Sequence, residues 1–361
     1  MRKRFKNKFS FNRKFRFNKK IVSAFALLMV VGVATVFGLS GCREMSEADV
    51  IGRLSSNLED NGSYLATGIM EVESEGEIHV YAIEIGFAAP DLYRVTMRNE
   101  ATGNEQIILK NDDGVFVLTP ALNKQFKFQS DWPLTSSQVY LYQSLLLDIL
   151  NTEEGMTVFE ICDDFYTFRI PANYQANADL TTQVMQFDRK NLTPALVNVL
   201  DGEGTPRLTM QFLTFEWNND LSDDFFVAES IMELAQDVMG DAVVITVSDV
   251  YDAQLYPRFV PEGSQLVDRT RIATSNGERV ILTFAGDHEF TIIQESARVR
   301  DVLAPELILG EPIMVNGTVA AISDTTLTWQ RNGVEFFLVS NTLEREQLIT
   351  VASSIVEAYD K

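Results

Sequence analysis

Ile78-His79-Val80-Tyr81-Ala82-Ile83-Glu84-Ile85 and, a few residues on, Leu92-Tyr93-Arg94-Val95-Thr96-Met97 alternate so that apolar side chains fall on one face. A period of two is that of a strand, whose successive side chains point to opposite sides, so each segment predicts a strand with one face on a core. Turn chemistry separates the runs. Ala101-Thr102-Gly103-Asn104 divides two strands, and Asn111-Asp112-Asp113-Gly114 reverses the chain before Val115-Phe116-Val117-Leu118. Ser63 to Gln129 therefore reads as an antiparallel meander.

Working outward, a helix is predicted after Pro133, beginning near Ser136, with Val139, Tyr142, Leu145, Leu146, Ile149 and Leu150 at helical spacing. Strands resume over 157–162, 165–170, 182–187, 195–200 and 207–215. Upstream, Ser46 and Asp49 form a capping box for a short helix facing inward with Val50, Ile51, Leu54 and Leu58, and Gly62 stops it. Ala228 to Met239 places Ile231, Leu234, Ala235 and Val238 on one face, and Gly240 ends that helix. A long β run interrupted by one strongly apolar helix predicts a curved sheet whose hollow is covered by the helix. Val139, Tyr142, Leu145, Leu146 and Ile149 are the candidates for lining that hollow.

Beyond Gly240, Tyr256-Pro257 and the residues up to Gly263 lead into hairpins. Ser275-Asn276-Gly277 turns toward Arg279 to Phe284, Phe290 to Gln294 forms another strand, and Asn332-Gly333 joins Thr326 to Trp329 with Val334 to Val339. A last helix from Asn341 or Thr342 directs Leu348, Ile349, Ala352, Ile355 and Val356 inward. The expected organisation is a signal segment over 1–41, a mainly β domain over 42–240 and a small α+β domain over 241–361.

The first residues carry an address. Arg2 to Lys20 holds ten basic residues and no acidic one, Ile21 to Leu39 is uncharged, and Leu39-Ser40-Gly41-Cys42 follows. A cationic arm before an apolar run marks an export signal. The run is long enough to span a bilayer uncut. The small pair Ser40-Gly41 before a cysteine predicts instead cleavage between Gly41 and Cys42, with acyl chains on the Cys42 thiol. In both cases the chain is tethered on the outer face of the cytoplasmic membrane. Two or more acyl chains hold such a tether stably, at about 0.8 kcal/mol per buried CH₂.

The net charge is −21, and because the arm is basic the remainder is still more acidic, at −31. That charge argues against nucleic-acid partners and against a polybasic mode of membrane attachment. Cys42 and Cys162 are the only cysteines, and Cys162 is expected to be a buried strand residue. His79 and His288 are the only histidines, and Gly286-Asp287-His288-Glu289-Phe290 lacks the second histidine of a zinc-protease helix. There is no phosphate-cradling glycine loop and no serine elbow. Asp163-Asp164 and Asp223-Asp224 fall at turns, where paired carboxylates are usually solvated. No catalytic residue, metal ligand or cofactor is assigned, and an enzyme is not expected.

The phrases Pro90-Asp91-Leu92-Tyr93-Arg94-Val95, Asn111 to Pro120 and Leu221-Ser222-Asp223-Asp224-Phe225-Phe226, together with the element order, resemble the LolA/LolB/RseB-like superfamily over about Ser46 to Phe226. Within it they look most like the LolA-like sporulation and germination lipoproteins of endospore-forming bacteria. The resemblance implies an incomplete antiparallel β-barrel wrapped around helices with a hydrophobic cavity. The domain order is similar to that of RseB, which implies lipid or peptide sensing. A carrier that shuttles cargo conflicts with an anchor at Cys42. The expected function is accordingly a membrane-anchored, non-catalytic envelope or sporulation lipoprotein that binds an apolar ligand, an acyl chain or lipidated or peptide cargo. The alternative is a regulator that binds an envelope enzyme or signalling protein, a cortex-modifying amidase being the partner implied by resemblance.

Overall fold

The computed structural model describes residues 44–361 apart from 75, 130–131, 133–137, 173, 175–178, 240–254, 275–276, 300–303 and 358–361. The signal segment, Gly41 and Cys42, the Pro133–Ser136 helix start, the Gly240 boundary and the Ser275-Asn276 turn lie outside the described residues.

Helix α1 (Glu47–Asn61) starts where its capping box predicts. The Ser46 hydroxyl accepts from the Asp49 amide at 3.2 Å, the Asp49 carboxylate accepts from the Ser46 amide at 3.1 Å, and Gly62 ends the helix in the left-handed region at φ 69°. Six strands follow as a meander: β1 (Ser63–Ser74), β2 (Glu77–Ala88), β3 (Leu92–Asn99), β4 (Glu105–Asn111), β5 (Gly114–Thr119) and β6 (Lys124–Phe128). Helix α2 (Tyr142–Leu150) then leads to a second meander of β7 (Val158–Ile161), β8 (Phe165–Pro171), β9 (Leu180–Asp188), β10 (Pro194–Asp201) and β11 (Pro206–Trp217). Antiparallel pairing of β1 with β11 joins the two meanders into one sheet, whose edge strands are β7 and a later strand, so it stays open rather than closing into a barrel.

This is the predicted mainly β architecture with helices in its hollow. Inward residues of opposite wings, such as Ile83 and Val95 against Phe168 and Met185, belong to one core with Val50 and Leu54 of α1 and Leu145 and Ile149 of α2. Strands β4 and β5 lack clean alternation because both of their faces are covered. Ile108, Val115 and Val117 face that core, while Ile107, Leu109, Phe116 and Leu118 pack under Ile231 and Met232 of α3 (Ala228–Met239).

The remaining chain builds a seven-stranded antiparallel sheet from β13 (Ser264–Thr274), β14 (Gly277–Gly286), β15 (Phe290–Ser296), β17 (Glu311–Val315), β18 (Thr318–Ile322), β19 (Thr326–Arg331) and β20 (Val334–Ser340). Helix α4 (Arg345–Ser353) packs on it through Leu348, Ile349, Val351 and Ala352. Between β15 and β17, the strand β16 (Pro305–Ile308) leaves this sheet and adds in parallel to β6, forming the second edge of the large sheet. Val319 and Ala321 of β18 also enter the first core. Residues 45–361 form one compact unit, and among the described residues no helix is long and apolar enough to cross a membrane.

Three local expectations are corrected. Helix α2 begins at Tyr142 because Leu141 before it is extended, so Val139 lies in a turn. Helix α4 begins at Arg345, capped by Glu344 and Gln347, and Ile355 belongs to a short strand β21 (Ile355–Glu357) that pairs with β12 (Leu255–Pro257). Cys162 is exposed at the bend after β7 rather than buried in a strand.

Candidate functional site

A cleft of about 760 Å³ opens where the ends of β1, β9, β10 and β11 meet the β17–β18 turn and the end of α4. Its apolar floor comes from Met70, Val72, Leu180, Leu208 and Met314, and the half-exposed ring of Phe259 stands at the mouth. Asn316 fixes the side opposite the large sheet. It accepts from the Ser74 hydroxyl at 2.9 Å through its side chain and from the Tyr81 hydroxyl at 3.2 Å through its carbonyl, while its amide donates to the Ser353 carbonyl at 2.5 Å. Asn316 takes a positive φ of 48°, the left-handed region that asparagine tolerates better than most residues.

The rim is charged. Arg207 Nε donates to Asp201 at 2.7 Å and its Nη1 to Glu73 at 2.6 Å. The Thr205 amide, and after it Arg207 and the Glu203 amide, hold the Asp201 carboxyl below the usual carboxylate range. With Asp179 and Glu203 the mouth has, among the described residues, four carboxylates and one guanidinium.

Two tyrosines border the cleft, Tyr140 from the turn before α2 and Tyr174 from the connection between β8 and β9. Tyr140 is fully buried, and its hydroxyl has no hydrogen-bond partner among the described residues. Tyr174 donates to Gln183 Oε1 at 3.2 Å, and Gln183 Nε2 donates to Asp148 Oδ2 at 3.0 Å. Burial pushes the Asp148 carboxyl up to about 6 against the opposing pull of the Gln183 amide. Gln183 is completely buried, on the inward face of β9 in line with Met185 and Phe187.

The five residues predicted to line the hollow are all within 6% of full burial and pack into the core. The Tyr142 ring stands 5.0, 5.8 and 6.2 Å from those of Trp217, Phe215 and Phe187, and its hydroxyl donates to the Leu54 carbonyl at 3.0 Å. Val139, Tyr142, Leu145, Leu146 and Ile149 border neither the 760 Å³ cleft nor two smaller ones of about 370 and 170 Å³. Tyr140, next to Val139, is the residue of this segment that reaches the large cleft. Sequence reading missed Gln183; a glutamine at an inward position of an alternating strand is the signal that could have found it.

Asp163-Asp164 lies on an exposed bend and Asp223-Asp224 in an exposed 3₁₀ turn, each apart from the cleft. Among the described residues no group of three or more His, Cys, Asp or Glu side chains could hold a metal ion.

No family model matches the chain. The chain is 37% identical over 336 residues to sporulation protein YdcC of Bacillus subtilis (strain 168), an alignment covering 93% of this chain and 98% of that protein. The chain belongs to the YdcC family. The resemblance read from the sequence to sporulation lipoproteins leads to the same group. Similar solved structures include the Pseudomonas aeruginosa MucA/MucB complex, at 13% identity and a TM-score of 0.31, covering 86% of this chain and 100% of that chain. The CwlD amidase from Clostridioides difficile in complex with the GerS lipoprotein gives 19% identity and a TM-score of 0.29, covering 49% and 99%. A LolA superfamily protein from Nitrosomonas europaea gives 12% and 0.29, covering 52% and 99%.

Proposed function

We propose that this YdcC-family chain is a non-catalytic sporulation protein of the cell envelope, anchored by acylated Cys42 on the outer face of the cytoplasmic membrane, that receives an apolar or amphiphilic ligand in the 760 Å³ cleft. The observation that carries the reading is the cleft itself, a volume in the range of ligand sites with a floor of Met70, Val72, Leu180, Leu208 and Met314. Covering that floor stabilises a complex by about 25 cal/mol per Å² of apolar surface removed from water. In this reading Val139, Tyr142, Leu145, Leu146 and Ile149 form the packed wall behind the cleft, keeping it open by holding Tyr140 in place.

The test titrates the full chain with an environment-sensitive fluorescent acyl probe and looks for co-purified lipid by mass spectrometry. Saturable binding that weakens when Gly202→Trp fills the rim is the expected result. Gly202 suits this role, since an added Cβ meets nothing nearer than Thr181 at 4.0 Å. Absence of saturable binding, or binding indifferent to the rim, would overturn the proposal.

A second reading, a regulator that docks an envelope enzyme such as a cortex-modifying amidase, is favoured by β13. That edge strand is exposed on both faces from Gln265 to Ala273 and displays Leu266, Val267 and Ile272. Unpaired edges template strand addition. Photo-crosslinking from position 267 in sporulating cells distinguishes this reading, which fails if no defined protein is captured.

A further inference from the structure

We propose that the cleft selects a cationic amphiphilic peptide, whose lysine or arginine side chain reaches the Tyr140 and Tyr174 hydroxyls while neighbouring apolar side chains cover the floor. This rests on the reading of the cleft as a ligand site and specifies what enters it. Hydrogen-bond direction is the first argument. An ionised Asp148 only accepts, so Gln183 must turn its Nε2 toward it and its Oε1 toward Tyr174. Tyr174 therefore spends its single proton on Gln183, and what its oxygen has left for the cleft is lone pairs. The wall is thus wired to accept from a donor.

The second argument is the Tyr140 hydroxyl, fully buried at the edge of the cleft and without a partner among the described residues. A buried hydroxyl left unsatisfied costs about 1–3 kcal/mol. A ligand that brings a hydrogen-bonding group recovers that cost. Charge is the third argument. Among the described residues the rim carboxylates of Glu73, Asp201 and Glu203 outnumber the Arg207 guanidinium, which is bonded to the first two, so a fatty-acid carboxylate or a phosphate meets repulsion whereas an ammonium or guanidinium is drawn in. The lining of Thr181 and Ser353 also offers hydrogen-bonding groups that suit a peptide backbone and that a hydrocarbon tail cannot use.

The experiment places the full chain in phosphatidylcholine nanodiscs, with empty nanodiscs as background, and follows the anisotropy of short labelled peptides that alternate leucine with lysine, glutamine or glutamate. The lysine peptide is expected to bind roughly tenfold tighter than the glutamine peptide, the advantage shrinking as salt screens the mouth, and the glutamate peptide is expected not to bind. Asp179→Lys with Glu203→Lys, both at exposed positions, is expected to erase the lysine advantage. Tyr140→Phe with Tyr174→Phe lowers the lysine affinity while leaving the glutamine affinity in place. Equal binding of lysine and glutamine peptides would overturn the cationic selection but leave the cleft reading intact. If neither peptide nor the acyl probe binds, the proposed function falls as well.

Discussion

Replacing Asp148 with asparagine is expected to make the protein more stable at neutral pH and no more stable in acid. The Asp148 carboxyl is raised from 3.8 to about 6, mainly by burial. A carboxyl whose folded pKa lies above its unfolded value holds its proton longer when folded. Its contribution is therefore fully present below about pH 4 and is lost as the pH climbs through about 6. At 1.36 kcal/mol per pH unit the gap is worth about 3 kcal/mol, which partial exposure of the side chain reduces to roughly 1–2 kcal/mol. Asparagine keeps an oxygen to accept from Gln183 Nε2 and carries no charge to desolvate. Urea midpoints of both proteins, followed by far-UV circular dichroism from pH 4 to 8, give the difference directly, since the other carboxyls cancel between them. The curves should coincide near pH 4 and separate with their steepest divergence between pH 4 and 6. A gap that is constant with pH, or an asparagine variant less stable at pH 7, would refute the reasoning. The same substitution releases Gln183 from its fixed orientation, so it should weaken the lysine peptide while strengthening the fold, a pair of opposite signs that a merely structural role would not produce.

Glu335→Ala should cost roughly 1–3 kcal/mol, because Glu335 is a carboxylate paired with the Lys124 ammonium, whose side chain is only 4% exposed; the pair Lys124→Met with Glu335→Leu should regain most of it in urea denaturation. Gly68→Ala should lower the urea midpoint by roughly 1–3 kcal/mol, since a Cβ there meets the Gln211 carbonyl oxygen and the Met210 methyl at the β1–β11 register shift; an unchanged midpoint would refute that close approach. Cys42→Ser should abolish palmitate incorporation and leave an uncut precursor, and retained label would remove Cys42 as the anchor.

The parts of the fold that sequence reading reached are those whose rule is local. The capping box at Ser46 and the reversal at Asn332-Gly333 are legible because only particular residues satisfy an orphan amide or tolerate φ values of 51° and 78°. The β16 excursion is illegible for the opposite reason. Nothing in Pro305-Glu306-Leu307-Ile308 names a partner some 180 residues upstream, and parallel pairing needs no turn between the strands. Ile355 and Val356 misled for want of length, since so short an apolar pair fits either period until β12 supplies a strand to pair with.

The same logic explains why the apolar stripe was found and the cleft was not. Val139, Tyr142, Leu145, Leu146 and Ile149 obey the rule that apolar residues recur on a buried face, so they are visible as a stripe and turn out to be core. Asp148, Gln183 and Tyr140 break that rule. They place polar groups where burial costs free energy unless each is bonded, and they come from two segments that only the fold brings together. A polar residue at an inward position, such as Gln183 in line with Met185 and Phe187, is the kind of exception that stability alone does not favour. Its hydrogen bonds to Asp148 and to Tyr174 are what tie the interior of the sheet to a residue that lines the cleft.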